Sequence, residues 1–513
     1  MRSRGEAVSV GVIHRSRYPM PEVPDTDSAG FVLEKSRSRG SHPALVDGVS
    51  GETVAYSQLP DAVSTAASAL VAHGLRPGDA VALMAPNQPA WAVTFYGILT
   101  AGAALVPINP VLTEDEVVKL VELSGASLLI HDGTGADKAA LVSKRTGATA
   151  VGLEQLSEQH SGWAPAEVNP DSTAVIAFSS GTTGQPKGVV LTHRNLVANI
   201  CQHRDIYPLG EDDTCVAALP FFHIYGLSII LNSSLRHGAT VVTLPRFELG
   251  RYLDVIASHR VTWLHVVPPI VRQLVSESAA AADLSSVRHA VSGAAPLDGA
   301  LAAMARERLG TPVGQGYGMT EASPGVTWTP FDGLVPCPPG SVGVLVGGTE
   351  ARLVDPATGA DTEGPGEMWV RGPQVMRGYL GDESATESTI VEDGWLRTGD
   401  IMRVDEHGVW WVVDRLKEMI KYKGYQVAPA ELEALISGHP QVIDVAVAGV
   451  PDEEAGEIPK AWVVARGDLT EAVLAEWVAA RVAPYKKIRA VTFVEAIPRS
   501  PSGKVLRRQL RYG

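Results

Sequence analysis

The sequence predicts an α/β protein in two parts: a large N-terminal domain of layered sheets and helices, and a small mobile α+β domain at the C-terminus. Three observations lead there. The chain has 513 residues, more than one core of ordinary size accommodates. Apolar strand signals alternate with amphipathic helix signals through most of its length, the pattern of α/β layers. After Asp400 a charge-dense run, Asp414 to Lys423, interrupts that alternation, and a compact final segment follows.

From the N-terminus, residues 1–25 read as a disordered leader. Arg2, Arg4, Arg15 and Arg17 are there, but no continuous apolar core precedes Pro19, so it is not a secretory signal. Tyr56 to His73 reads as a helix with Val63, Ala67, Leu70 and Val71 on one face, stopped by Gly74 and a Pro-Gly-Asp turn at 77–79. A strand at Val81 to Met84, a short helix from Ala90, a stop at Gly102 and a strand at Ala104 to Ile108 come next. This stretch carries little charge, but Pro86, Pro89, Pro107 and Pro110 break it, so it is not a membrane helix. Further strands are expected at 128–131, 174–178, 240–244 and 263–267, with a helix at 251–259. The C-terminal part should hold a strand pair around the His-Gly turn at 407–408, strands near 442–449, 458–466 and 489–494, and a helix near 469–482.

The net charge of −14 argues against a nucleic-acid partner, which calls for a basic face; no membrane partner is expected either. Three cysteines, Cys201, Cys215 and Cys337, show no metal-ligand or CxxC spacing. That count fits a reducing, cytoplasmic setting without a disulfide framework.

Five segments carry chemistry. Ser179-Ser180-Gly181-Thr182-Thr183-Gly184-Gln185-Pro186-Lys187-Gly188 follows an apolar strand. Glycines let backbone N–H groups approach phosphate oxygens, hydroxyls add donors, and lysine adds charge. It is not a Walker A loop, since Lys187 lacks the preceding Gly and following Ser/Thr. Gln315-Gly316-Tyr317-Gly318-Met319-Thr320-Glu321 offers a backbone that can lie flat on a planar ring, and a carboxylate suited to Mg²⁺ on phosphates. Trp395 to Asp400 ends on a carboxylate able to grip ribose hydroxyls. Asp414 to Gln426 is a charge run, and Pro501 to Arg508 sets Lys504 on a Ser-Gly turn near the C-terminus. Each alone admits a plainer reading: a surface turn, a solvated face, a mobile tail.

Together and in this order, the five resemble the adenylate-forming superfamily of acyl-CoA synthetases, adenylation domains and luciferases, from about Phe31 to Arg508. The closest likeness is to 4-coumarate–CoA ligases and their bacterial relatives. It is carried by Pro220-Phe221-Phe222-His223-Ile224-Tyr225, Ser292-Gly293-Ala294-Ala295-Pro296-Leu297, Gln315-Gly316-Tyr317-Gly318 and Lys421-Tyr422-Lys423-Gly424-Tyr425-Gln426.

The resemblance implies a ligase that converts acid and ATP to acyl-AMP and pyrophosphate, then acyl-AMP and coenzyme A to acyl-CoA and AMP. It implies an ATP- and acid-binding domain over 26–416 and a mobile domain over 417–513, hinged at Lys417. Ser179, Ser180, Gly181, Thr182, Thr183, Gly184 and Lys187 would hold the triphosphate, with Glu321 and Mg²⁺ neutralising it. Asp400 and Arg415 would take the ribose; Ala294, Gln315 and Gly316 would border the adenine and acyl end. Tyr317, Thr320 and Lys417 complete the nucleotide set. Lys504 would bridge the attacking carboxylate and the α-phosphate, with Lys421 and Gln426 as further adenylate contacts. After rotation Lys423 and Gly424 would form a pantetheine tunnel, Arg246 would meet a CoA phosphate, and His223 would be the gate beside the entering thiol.

Ile224, Tyr225, Ile229, Ala294, Gly316 and Gly318 suggest an apolar slot that suits a flat aryl-propenoate or a medium-chain fatty acid. Gly325 to Pro339, with Trp328, Phe331 and Cys337, should line it. No aspartate stands between Cys215 and Leu231 to bind an ammonium, which disfavours amino acids. Trp369 occupies a position where plant relatives carry cysteine. Two other readings remain. One is an acyl-AMP ligase that loads a carrier-protein pantetheine, against which Arg246 and Lys423 favour free CoA. The other is a nucleotide-binding regulator without catalysis, against which Lys504, Lys421, Glu321 and Asp400 stand.

Overall fold

The computed structural model describes residues 12–158, 160, 163–180, 186–416, 418–422, 425–452, 455–482, 484–500 and 503–512. Long parallel strands form where the sequence has unbroken apolar runs, because helices cover both faces of such sheets. In Ala80–Met84 all five residues are buried. One sheet runs 378–379, 186–192, 173–180, 104–108, 80–84, 128–131, 149–152 across its seven strands. Those from 173–180 to 149–152 pair in parallel, while 186–192 returns antiparallel on 173–180. The second sheet has nine strands. Its centre, 43–47, 240–243, 214–217, 263–266, 289–292 and 313–318, is parallel.

Helices Leu59–Ala72 and Pro89–Thr100 pack closely because Gly97 has no side chain: a Cβ there would lie 3.1 Å from the Ala67 nitrogen. Helix Glu114–Ser124 starts at a capping box between Thr113 and Glu116 and stops at left-handed Gly125. A π-helix, Tyr225–Asn232, follows the Pro-Phe-Phe-His segment, and Ser233 Oγ donates five residues back to the Ser228 carbonyl. Wide helical turns of this kind gather at functional sites.

A third sheet of six strands holds 395–404 and its partner 410–415. Its edge strand is His14–Arg15, antiparallel to Glu350–Ala351. The disordered-leader expectation therefore fails for residues 12–25. Arg15 pairs with Glu350 at 2.9 Å, and buried Tyr18 donates its hydroxyl to Asp332 at 2.7 Å. Residues 1–11 lie outside the described ones.

The C-terminal sheet combines 425–427, 420–422, 456–465, 442–452 and 490–493. It has its own core, including Ile420, Leu432, Val447 and Val463. Several contacts among the described residues tie it to the large domain. Ala430 N donates to Asp414 Oδ2 at 3.1 Å, Arg272 donates to the Ile443 carbonyl at 3.1 Å, and Gly503 lies against Val267 and Pro269.

Candidate active site

The carboxylate of Asp400 sits on strand 395–404 beside Arg415 of the next strand. Arg415 Nε is 3.1 Å from Asp400 Oδ1, and the Tyr317 hydroxyl donates to Oδ2 at 2.6 Å. Asp400 is buried, which raises its pKa, while Arg415 and Tyr317 pull the other way. The structure thus joins three predicted residues from two sheets.

Lys504 comes to the same place from the C-terminal domain. Its turn is built, not a loose tail: Ser500 N donates to the Lys504 carbonyl at 2.8 Å, Lys504 N donates to Ser500 Oγ at 3.1 Å, and Arg499 is paired with Asp444 at 2.8 Å. Burial lowers the Lys504 pKa, and the Arg415 charge lowers it further; Glu418 and Asp400 oppose this. Lys504 in turn acts on His223, whose imidazole is pushed down to about 4, first by burial and then by that charge. His223 Nδ1 accepts from Tyr225 N at 3.2 Å, so the neutral ring carries its proton on Nε2.

Just beyond the same end of the strand 313–318, a short 3₁₀ turn, Thr320–Ala322, buries Glu321. Glu321 Oε1 accepts from Tyr379 Oη at 3.0 Å, and Lys187 Nζ stands 4.8 Å from the centre of the Tyr379 ring. Lys187 pairs with Ser179 across the hairpin that carries the Gly-rich segment. One carboxylate facing a lysine-bearing hairpin fits Mg²⁺, which takes one or two protein carboxylates and completes its shell with water and phosphate oxygens.

The glycines of 313–318 are required by space. A Cβ on Gly316 would lie 2.6 Å from the Trp328 ring, and one on Gly318 only 2.0 Å from the Pro324 carbonyl oxygen. Gln315, expected to border the adenine, holds its side chain on backbone. Its buried amide accepts from Leu297 N at 2.8 Å and donates to the carbonyls of Leu297 and Ser341. The side chain is fully spent on backbone and fixes the loop that carries Ala294, which takes a left-handed φ of +65°. Tyr225 donates to the Val291 carbonyl at 3.2 Å and lays its ring on Gly293, while Ile224 and Ile229 are buried beside it.

Arg246 is exposed on the loop after strand Thr240–Thr243, and Lys421 is exposed on the ribbon it shares with Gln426. Thr320 is half-buried at the start of the Glu321 turn. Gly181, Thr182, Thr183, Gly184, Lys417, Lys423 and Gly424 lie outside the described residues, as do the side chains of Ser180 and Gln426.

Three positioning residues escaped the sequence reading. Tyr379 holds Glu321. Asn87, buried, binds the carbonyls of Ala217 and Leu219 and accepts from Phe221 N at 2.7 Å, fixing the approach to His223. Arg507 pairs with Glu418 and Glu433 inside the C-terminal domain. Only Arg507 lay within a segment the sequence singled out.

Comparison with known proteins agrees with this geometry. The AMP-binding enzyme family matches residues 33–380, and the AMP-binding enzyme C-terminal domain matches 431–504. The chain is 38% identical to 4-coumarate–CoA ligase 3 of Oryza sativa subsp. japonica, over 98% of this chain and 94% of that protein. ATP-bound MatB from Rhodopseudomonas palustris superposes with a TM-score of 0.87 at 29% identity, covering 95% of this chain and 98% of that one. The anthranilate CoA ligase AuaEII in complex with anthranoyl-AMP gives 0.87 at 25% identity, covering 96% and 97%. Two matched domains and near-complete coverage lead to one conclusion: the chain belongs to the AMP-binding enzyme family, as an adenylate-forming acid–CoA ligase that uses ATP, Mg²⁺ and coenzyme A.

Proposed function

We propose that the chain activates a cinnamate- or 4-coumarate-type aryl acid and passes it to free coenzyme A. The observation that carries the mechanism is the arrival of Lys504, from the small domain, beside Asp400, Arg415 and His223.

In the first half-reaction two anions must meet, so the catalyst aligns the acid and spreads the charge that develops at the α-phosphorus. Asp400 and Arg415 hold the ribose, Asp400 as acceptor with Tyr317 orienting it. Lys187 and the hydroxyls of Ser179 to Thr183 hold the triphosphate near Glu321. Mg²⁺ bound there would neutralise the phosphates and ease pyrophosphate departure. Lys504 would bridge the carboxylate oxygen and the α-phosphate with its ammonium. The carboxylate oxygen forms a bond to phosphorus as the bond to pyrophosphate breaks.

In the second half-reaction the thiol of coenzyme A attacks the acyl carbonyl, a C–S bond forms, the thiol proton leaves, and AMP departs with its bonding electrons. Rotation about Lys417 takes Lys504 out and brings Lys423 and Gly424 to the thiol path. The Asp414–Ala430 and Arg272–Ile443 contacts span that hinge and would part in the rotation. His223, neutral and held by Tyr225 N, gates the entry. Arg246, exposed after strand Thr240–Thr243, is free to meet a CoA phosphate. No helix among the described residues is long and apolar enough to cross a membrane. On the sparse cysteines, Cys201, Cys215 and Cys337, which fit a reducing compartment, we assign the enzyme to the cytoplasm.

The test is pyrophosphate release over cinnamates, benzoates and straight-chain acids from butanoate to hexadecanoate, followed by thioester formation with CoA and with an isolated holo-carrier protein. Cinnamates should give the highest kcat/KM, with CoA as the better acceptor. Preference for the carrier would overturn the free-CoA assignment, and silence with every acid would favour a non-catalytic regulator.

A further inference from the structure

We propose that a double wall of aromatic rings behind Gly316 sets a length limit on the acid, so that the slot takes compact, ring-sized acids and rejects long alkanoic ones. The proposal rests on the acid–CoA ligase reading of the site.

The inner layer is Trp328, Tyr207 and His265. The indole of Trp328 covers Gly316, where a Cβ would come within 2.6 Å of it. Tyr207 packs on that indole with centroids 5.3 Å apart, and its hydroxyl is 2.5 Å from His265 Nε2. The His265 ring reaches back towards the slot, 6.4 Å from Tyr225. Trp328, Tyr207, His265 and Tyr225 thus form a continuous chain of ring contacts.

Behind it stands a second layer. Trp263 meets Tyr207 edge to face at 4.6 Å and stacks on His289 at 4.3 Å, while Phe331 closes the corner at 5.3 Å from Trp263 and 5.0 Å from His289. On the far side of His289 lies a surface cavity of 410 Å³ bordered by Asp213 and Arg288. In the proposal, these rings stand between the acyl slot and solvent at this end.

Two features argue that the wall is more than core filling. Trp328, Tyr207, His265 and Trp263 are 0–3% exposed and pack ring against ring, Tyr207 meeting Trp263 and His265 edge to face, so none swings aside without displacing another. In addition, Trp328 Nε1, Trp263 Nε1 and His265 Nδ1 are buried without a hydrogen-bond partner. That is a cost which hydrocarbon side chains of similar size would not carry. Bulky, rigid rings are kept here despite it.

The test compares wild type with Trp328→Ala and the milder Trp328→Leu, each checked by thermal melting, for pyrophosphate release with cinnamate and with every straight-chain acid from butanoate to dodecanoate. In the wild type, kcat/KM should fall by about tenfold or more for each methylene past the limit, the discrimination an apolar pocket gives for one carbon. Both variants should move the limit to longer acids; if Trp328→Ala does not fold, Trp328→Leu decides alone. A wild type that uses dodecanoate as well as cinnamate, or a folded Trp328→Leu with an unchanged chain-length profile, overturns the wall while leaving the ligase assignment intact. Absence of pyrophosphate with every acid overturns the assignment and the wall together.

Discussion

Replacing Tyr317 by phenylalanine removes the hydroxyl that donates to Asp400 Oδ2 at 2.6 Å and leaves Arg415 alone, 3.1 Å from Oδ1. Burial already pushes the Asp400 carboxyl up, and Tyr317 is one of the groups that hold it down. A hydrogen bond to a charged group is worth about 1.5–3 kcal/mol. Its loss raises the Asp400 pKa further. In the proposed role Asp400 accepts from the ribose hydroxyls as a carboxylate, so the acidic limb of kcat/KM for ATP should move to higher pH. Towards alkaline pH the variant should approach wild type, because the carboxylate is then ionised in both. The assay is pyrophosphate release at limiting ATP, from mildly acidic to mildly alkaline pH. Acidic limbs that superimpose, or a loss of activity uniform across pH, would refute the coupling between Tyr317 and Asp400.

Asp414, pushed up to about 7 mainly by burial, accepts from Arg415 N and Ala430 N. Its folded pKa lies above the unfolded value near 4, so its stabilising protonation is complete below about pH 4 and lost as pH rises through about 7, at most about 4 kcal/mol. Asp414→Asn should therefore melt progressively higher relative to wild type as pH rises from about 5 to about 8; a constant difference would contradict this. Gly318→Ala must displace the Pro324 carbonyl, 2.0 Å from the new Cβ, and should cost about 1–3 kcal/mol in denaturant melts together with most of the adenylation activity. Glu321→Gln removes the carboxylate we propose for Mg²⁺, and should raise the Mg²⁺ concentration for half-maximal pyrophosphate release by about tenfold or more, with the melting temperature little changed.

Much of the fold was legible because its centre is made of short apolar runs between turn residues. Ala104–Ile108 and Leu128–His131 fall where the pattern puts them. The helix expected from Tyr56 starts at Leu59, because Gln58 Oε1 accepts from Ala55 N and holds the preceding residues in a turn. Strand Pro186–Thr192 was hidden by the Gly-rich segment before it, whose loop character dominates the local signal. The ordering of residues 12–25 had no local signal at all: Arg15 finds Glu350 across 335 positions.

The site divides in the same way. Asp400, Arg415, Glu321 and Lys504 stand in segments whose residue types announce charge and phosphate chemistry; the fold sets Arg415 3.1 Å from Asp400 and puts Glu321 with Tyr379. Tyr379 announces nothing, since its value lies in a contact with Glu321 58 residues away. Gln315 was legible as a position but not as a role, because only the folded backbone shows its amide consumed by Leu297 and Ser341.

The central claim is that Lys504 serves the first half-reaction and is carried away for the second. Lys504→Ala measures it directly when the two halves are assayed apart: pyrophosphate release from acid and ATP, and thioester formation from pre-made acyl-AMP and CoA. The account predicts that the first collapses while the second stays close to wild type. Equal loss in both, in a variant that melts like wild type, would contradict it.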